Sequence, residues 1–204
     1  MQSSIYTIGH STHSPEYFLE LLQAYAITCI VDVRSVAASR YNPQYNKDAL
    51  SDFLKKNSIT YLHFSQEFGA RQTAPDLMDA SGQLDFEKVS HTPHFKKGID
   101  RLRQGIAKGF TIALMCAESE PLDCHRFGMI SVALVREGFD VRHILKDKTL
   151  KSHAELEEYL LKKYEKKLPK ADIFTTSISQ EVQLAAAYRL LNKDIAYSPG
   201  SFNR

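Results

Sequence analysis

The apolar residues of this chain alternate between short continuous runs and stripes that repeat every three or four positions. The run at 27–34 is typical of a strand buried on both faces of a sheet, the run at 110–117 also predicts a buried strand, and shorter segments predict strands at 5–10, 59–64 and 141–145. The stripes predict helices between the strands, near 14–25, 50–57, 95–108 and 123–137. This alternation predicts a Rossmann-like α/β fold, with a mainly parallel sheet of about five strands and helices on both faces.

One long stretch, residues 65–93, shows neither pattern. It contains four turn-forming residues, Gly69, Pro75, Gly82 and Pro93. Long irregular segments in compact domains are commonly lids, binding loops or mobile linkers, and the sequence leaves these roles open.

The C-terminal part differs in character from the alternating core. Beyond Lys146, a capping box formed by Ser152 and Glu155 starts one helix, and a further apolar stripe predicts a last helix at 180–191. We therefore expect a single domain over 1–204, divided into an α/β core at 1–146 and a C-terminal helical extension at 147–204.

Composition and charge exclude several classes of protein. The net charge of +2 is too mild to indicate nucleic-acid binding by itself, and the lysine-rich run at 162–170 is more typical of a solvated helix face. Three cysteines are too few for a disulfide scaffold. No apolar run approaches the roughly 18–20 residues of a membrane span. We expect a reduced, cytoplasmic protein that makes no membrane contact, and its oligomeric state stays open.

Chemically versatile side chains cluster where the fourth predicted strand meets the next helix. They are Cys116, Glu118, Cys124, His125 and Arg126. In parallel α/β sheets, ligands bind outside the carboxyl ends of the strands, where helix N-termini also point free N–H groups. Glu118 is the candidate general acid or base there, and either thiol could be a nucleophile if catalysis is covalent.

Two other interpretations of the cysteines remain open. Buried free cysteine is commonly an inert packing residue, which applies most directly to Cys116 at the end of an apolar strand. Cys116, Cys124 and His125 could also bind a metal ion, with His10 or Glu118 as a fourth ligand. We predict no cofactor, and a metal is the alternative.

Arginines and small polar residues follow other predicted strands and suggest an anion site. Arg34, Arg40 and Arg126 have the planar fork that suits carboxylates and phosphates, and Arg71 in the irregular stretch is a fourth candidate. The alternative is that some of these arginines tie loops to carboxylates. Asp32, inside an apolar strand, is either half of an internal ion pair or catalytic.

The first predicted strand ends in polar residues at the same sheet edge. His10 is a candidate for proton transfer, and Ser11 and Thr12 are candidates for substrate binding or for satisfying turn amides. We expect the side chains from all three strand ends to line one cavity, namely His10, Arg34, Cys116, Glu118 and Arg126.

Four segments taken together resemble a known family. They are Thr7 to Thr12, Val31 to Arg34 with Ser39 and Arg40, Met115 to Glu118, and Cys124 to Arg126. The set resembles the uncharacterised bacterial family called domain of unknown function 488. The resemblance implies an α/β fold with a shared polar site that includes Ser39, and it implies no established reaction. This chain has Ala37 where the family usually has proline.

The candidate residues favour one function and leave an alternative. The first hypothesis is an enzyme that acts on an anionic or phosphate-bearing substrate, such as a nucleotide or a nucleic-acid component. The alternative is a non-catalytic module that binds a nucleotide or nucleic acid, or a metal-binding protein that uses the two thiols and His125.

Overall fold

A six-stranded sheet forms the centre of the molecule in the computed structural model, which describes residues 4–170 and 177–199. The strands are β1 (Ser4–Gly9), β2 (Cys29–Asp32), β3 (Thr60–His63), β4 (Ile112–Cys116), β5 (Asp140–Ile144) and β6 (Leu150–Ser152). Their order across the sheet is β3-β2-β4-β1-β5-β6. The first five are parallel, which confirms the mainly parallel α/β fold, and the short antiparallel edge strand β6 is an addition.

The central position of β2, β4 and β1 brings three strand ends together. Every residue of β2 and β4 is buried, as their continuous apolar sequences predicted. The register pairs Gly9 with Cys116 and Asp32 with Met115, so the three strands end at nearly the same level. Residues that follow these strands must therefore meet at one edge of the sheet.

Helices cover both faces of the sheet. They are α1 (Pro15–Gln23), α2 (Lys47–Lys56), α3 (Ser65–Phe68), α4 (Phe86–Ser90), α5 (Pro93–Ala107), α6 (Val132–Arg136), α7 (His153–Tyr164) and α8 (Gln180–Ile195). One face packs against α1 and α2, and the other packs against α3 to α6. Ser14 starts α1 as expected, since its hydroxyl accepts a hydrogen bond from the Tyr17 amide at 3.2 Å.

The helix that follows β4 begins later than the sequence suggested. Residues Arg126–Ser131 form a π-helical segment that continues into α6, and Cys124 is extended at φ −135° and ψ 141°. The Cys124 amide instead closes a 3-10 turn by donating to Pro121 at 3.1 Å. Cys124 therefore precedes the first helical residue, His125, and its carbonyl oxygen accepts from the amides of Phe127 and Gly128 at 3.0 and 3.3 Å. π-Helical turns are rare and occur frequently at functional sites.

The irregular stretch 65–93 is more ordered than its sequence indicated. It contains α3, α4 and a bridge between Met78 and Leu84. Five of its apolar side chains are buried in the core, namely Phe68, Leu77, Leu84, Phe86 and Val89. The sequence shows no periodic pattern here because each element is too short to contain a repeat. The five side chains are nevertheless as buried as other core residues.

The C-terminal helices pack on the core around Phe127. Leu160 of α7 and Leu191 of α8 are fully buried in this cluster. The lysine side chains of the 162–170 run are exposed, in agreement with a solvated face. Residues 171–176 and 200–204 of the expected extension lie outside the described residues. No helix in the described ranges is long and apolar enough to cross a membrane.

Candidate functional site

A cavity of about 580 Å³ opens at the carboxyl ends of β1, β2 and β4. Ten residues that the sequence analysis singled out line it: His10, Ser11, Thr12, Arg34, Ser39, Arg71, Cys116, Glu118, Cys124 and His125. The predicted convergence of His10, Arg34, Cys116 and Glu118 is confirmed. Arg126 is not among the lining residues, so for Arg126 the shared-cavity expectation is wrong, and Arg40, a candidate for the anion site, does not line the cavity either.

Two thiols, a carboxylate and an imidazole contact one another at the wall of this cavity. Oε2 of Glu118 lies 2.9 Å from Sγ of Cys116 and 3.1 Å from Sγ of Cys124. Nδ1 of His125 lies 3.8 Å from each of the same two sulfur atoms. We call Cys116, Glu118, Cys124 and His125 the thiol cluster. Both cysteines are almost fully buried, whereas Glu118 is exposed toward solvent and so connects the cluster to the open cavity.

The backbone of β2 holds the His125 ring in one orientation. Nε2 of His125 lies 3.1 Å from the Val33 carbonyl oxygen. Because a carbonyl oxygen can only accept, Nε2 carries a hydrogen and Nδ1 is the atom directed at the two thiols. The imidazole is therefore positioned to share a proton, or a lone pair, with the sulfur atoms.

The environment separates the two thiols in acidity. Burial opposes ionisation of Cys124, but the hydrogen bond from Cys116 and the positive charges of Arg126 and His125 outweigh it, so its pKa lies well below the usual range. The hydrogen bond to Cys124 and burial raise the pKa of Cys116 well above that range. Although Glu118 as a whole is exposed, its carboxylate packs against the two buried sulfur atoms, and this local desolvation is the main cause that raises the pKa of Glu118, reinforced by the neighbouring Cys124. The environment thus favours ionisation of Cys124 over that of Cys116.

Asp32 and Arg34 form a buried ion pair despite their separation of two residues. Nη2 and Nε of Arg34 donate to the Asp32 carboxylate at 2.6 and 2.9 Å, and the hydroxyl of Tyr61 donates to it at 2.7 Å. The ion-pair interpretation of Asp32 is confirmed. Nη1 of Arg34 carries two N–H groups, and among the described residues only His10 accepts from it, at 3.2 Å. One guanidinium N–H thus remains for a ligand.

His10 supports Arg34 as a neutral ring. Its Nδ1 donates to the Ser11 carbonyl at 2.8 Å, which leaves Nε2 as the acceptor for Arg34. The ring stacks on Tyr45 with centroids 4.1 Å apart. Burial is the main cause that lowers the pKa of His10 to about 4. At neutral pH this imidazole is uncharged and its lone pair is occupied, so the geometry suits orientation of Arg34 more directly than the proton transfer we expected.

Arg126 is a scaffold residue rather than a wall of the cavity. Its side chain is fully buried and donates to the carbonyl oxygens of Glu118 and Ser119 at 2.6 and 2.8 Å. The expected convergence of three arginines is therefore wrong, because this guanidinium turns inward to the loop that follows β4. Arg40 is exposed and lies outside the cavity. Arg71, the fourth candidate, does line it.

Comparison with known proteins identifies the chain at the level of a family. A sequence profile described as domain of unknown function DUF488 matches residues 14–132, which is more than half of the chain. The chain belongs to the DUF488 family. No curated protein and no solved structure matches it. The matched range includes β2, β4 and the whole thiol cluster, so the DUF488 region supplies most of the cavity.

Close backbone approach in this DUF488 chain positions Glu118. A Cβ atom on Gly9 would lie 1.9 Å from the Glu118 carbonyl oxygen, so only glycine fits at the end of β1. The amides of His10 and Ser11 then donate to Cys116 and Ala117, both at 2.9 Å. These contacts continue the pairing of β1 with β4 past the strand ends and lead the chain into the cluster.

The small polar residues that line the DUF488 cavity differ in whether their side chains hydrogen-bond to the backbone. The Ser39 hydroxyl accepts from the amides of Tyr41 and Asn42 at 3.2 and 3.1 Å, so it stabilises a turn. Ser11 has a left-handed backbone at φ 49°, and Thr12 is exposed. Both line the cavity, where their side chains are available to a ligand more readily than that of Ser39.

Sequence reasoning missed one wall of the cavity. Ile195 and Tyr197, from the end of α8, line it although they lie more than 60 residues beyond the matched region, and the Tyr197 carbonyl accepts from the Leu84 amide at 2.9 Å. Ser35 is a further lining residue, and its hydroxyl accepts from the Arg71 amide at 2.8 Å. Short polar or aromatic residues in irregular segments carry no periodic signal that could have identified them.

Proposed function

We propose that this DUF488 protein is an enzyme that acts on a small anionic substrate, with the thiol cluster as its reaction centre. The observation that carries the proposal is that four groups of complementary proton chemistry contact one another at a cavity wall. Cysteines that only pack are surrounded by apolar side chains, as Cys29 is, where burial raises the pKa to about 11. The two cluster thiols instead share a carboxylate and an imidazole.

Each member of the cluster has a distinct part in this proposal. The Cys124 thiolate is the donor of an electron pair, and His125 and the buried charge of Arg126 favour its ionised form. Glu118 accepts or returns a proton, since its carboxylate joins the sulfur atoms to the open cavity and its pKa is raised toward neutrality. Cys116 donates a hydrogen bond that orients the pair.

The cavity wall supports an anionic ligand of modest size. Arg34 and Arg71 line it, together with the hydroxyls of Ser11 and Thr12. A volume of about 580 Å³ lies within the roughly 300–1,000 Å³ typical of small-molecule sites. We therefore propose a phosphate-bearing substrate such as a nucleotide or a component of nucleic acid. Both thiols must stay reduced to act, which favours a reducing compartment such as the cytoplasm.

Thiol reactivity tests the reaction centre. We expect Cys124 of chelator-treated, reduced protein to be alkylated at neutral pH, with a midpoint well below the free-thiol value of about 8.5. Mass spectrometry would assign the modified residue, and Cys29 is the internal control. Equal inertness of all three cysteines would contradict the enzyme and favour a non-catalytic binding module.

Ligand-dependent melting tests the anionic substrate. Phosphate, sulfate and a panel of nucleotides should raise the melting temperature of the wild type, and Arg71→Ala should abolish the increase. Arg40→Ala is the matched control, because Arg40 is an equally charged, exposed residue outside the cavity. The absence of any anion-dependent shift in the wild type would refute this substrate class.

A further inference from the structure

The geometry points to a metal site: we infer that Cys116, Cys124 and His125 bind one zinc-class divalent cation, with its open coordination position facing the cavity beside Glu118. This inference rests on the proposed reaction centre. In it, the metal ion accepts the electron pair of the Cys124 thiolate. The two Sγ atoms and Nδ1 of His125 all lie within 4.8 Å of one another.

The spacing of these atoms fits tetrahedral coordination. With Zn–S bonds of about 2.3 Å and Zn–N bonds of about 2.0–2.1 Å, adjacent sulfur and nitrogen ligands lie roughly 3.6 Å apart. Nδ1 of His125 is 3.8 Å from both sulfur atoms, so one ion placed between the three would satisfy both distances at once.

The orientation of His125 is the second, independent observation. Histidine ligands of metals usually donate their other ring N–H to a carboxylate or a backbone carbonyl, which fixes the tautomer. In His125 this acceptor is the Val33 carbonyl oxygen, which lies 3.1 Å from Nε2. The lone pair of Nδ1 is consequently directed at the sulfur atoms, where an ion would replace the proton that Nδ1 otherwise shares with Cys124.

The chemistry of the donor set selects the class of ion. Two thiolates and one imidazole are the ligands of zinc and related transition metals, while magnesium and calcium take oxygen ligands. Charge also favours a divalent ion. Two thiolates and the Glu118 carboxylate bring three negative charges, which a divalent ion and the buried Arg126 guanidinium together balance.

Glu118 would lie beside the ion and is not required as a ligand. Its Oε2 lies 2.9 and 3.1 Å from the two sulfur atoms, closer than neighbouring ligands around zinc, and its side chain reaches the exposed cavity. Cys116, Cys124 and His125 would hold the ion, which would supply Lewis-acid chemistry that activates a water, and the Glu118 carboxylate would be placed to accept the proton of that water. Such a centre would make the proposed reaction a hydrolysis or a related attack by water.

Cobalt substitution tests the site without an activity assay. Chelator-treated, reduced wild-type protein titrated with Co²⁺ under nitrogen should develop thiolate-to-cobalt charge-transfer bands and intense visible bands at one equivalent. Cys116→Ser and Cys124→Ser should each raise the Kd for Co²⁺ by about 100-fold or more. Cys29→Ser is the matched control, since Cys29 is equally buried and lies outside the cluster, and Glu118→Gln should retain the bands.

A second measurement covers the case in which a variant does not fold. In the wild type, Zn²⁺ should protect Cys116 and Cys124 from alkylation while leaving the rate at Cys29 unchanged. Absence of charge-transfer bands and of this protection would overturn the metal site. If Cys124 then alkylates rapidly and anions still raise the melting temperature, the proposed enzyme stands without an ion. A normal cobalt spectrum without any anion effect would instead reject the substrate proposal alone.

Discussion

Individual side chains at the sheet edge divide into those that support the site and those that face it. Arg126 and Gly9 support it, because both determine where the backbone of Glu118 lies. Arg34 does both, since Asp32 holds one side of its guanidinium while, within residues 4–170 and 177–199, one N–H of Nη1 has no acceptor. Residue type alone could not separate these roles, because an inward-facing and an outward-facing arginine are identical in sequence.

Removal of the Arg126 side chain should destabilise the ligand-free protein. Arg126→Ala leaves two carbonyl oxygens and a cavity in the interior, and each buried unsatisfied group costs roughly 1–3 kcal/mol. A thermal melt without ligand should show a large decrease. Arg40→Ala provides the comparison and should melt like the wild type. Equal melting temperatures of the two variants would contradict the structural role of Arg126.

A methyl group at position 9 should disturb the site through the backbone. Gly9→Ala places Cβ against the Glu118 carbonyl, and overpacking of this kind costs about 1–3 kcal/mol or more when backbone must move. Chemical denaturation would measure the loss. Gly105→Ala is the matched control, because its Cβ meets only the flexible tip of Ile112 at 2.9 Å. Equal stability of both variants would contradict the close approach.

At the scale of elements, a buried chain of polar groups joins β5 to the two C-terminal helices. His143 contacts Thr7 at 2.8 Å and His153 at 3.2 Å, and His153 contacts the Tyr188 hydroxyl at 2.9 Å. Tyr188 in turn donates to Glu157 at 2.9 Å. Burial is the main cause that lowers the pKa of His153 to about 4 and that of His143 well below its usual range.

These buried polar contacts should make the fold sensitive to mild acid. Both histidines are neutral in the fold but bind protons in the unfolded state below about pH 6.5, so stability is complete above that pH and declines toward pH 4. Thermal melts across this range should show the decline, and His153→Phe should reduce it. His91→Phe is the control, since His91 is exposed. An unchanged pH profile in His153→Phe would reject His153 as the origin and leave His143 and His10 as candidates.

The whole molecule depends on contacts between distant parts of the chain. The C-terminal helices α7 and α8 pack around Phe127, which lies two residues after His125 of the thiol cluster, and Tyr197 beyond α8 lines the cavity. The C-terminal part is thus joined to the core through buried apolar contacts and contributes to the candidate site.

Loss of apolar contact in α8 should destabilise the entire fold. Leu191 is fully buried, and Leu191→Ala should lower the free energy of unfolding by about 2–5 kcal/mol in a single transition. Val182 lies on the same helix at 51% exposure, so Val182→Ala should change it by less than about 0.5 kcal/mol. A separate early transition in Leu191→Ala would show that α8 unfolds independently of the core.

The pattern of apolar residues predicted the five parallel strands and the sheet edge at which the site lies. The prediction is most direct for β2 and β4, in which every residue is buried, whereas the residues of β3 are exposed or half-buried. The same pattern placed His10, Arg34, Cys116 and Glu118 at one edge, since parallel strands end together.

Which side chains meet, and which way they face, depends on the folded arrangement of the elements. This arrangement paired Asp32 with Arg34, turned Arg126 inward, and set His125 at equal distance from two thiols eight residues apart in the chain. It also brought Tyr197 to the cavity wall. The physical reason is that periodicity records only burial, whereas side-chain partners depend on rotamers and on long-range contacts that no local pattern contains.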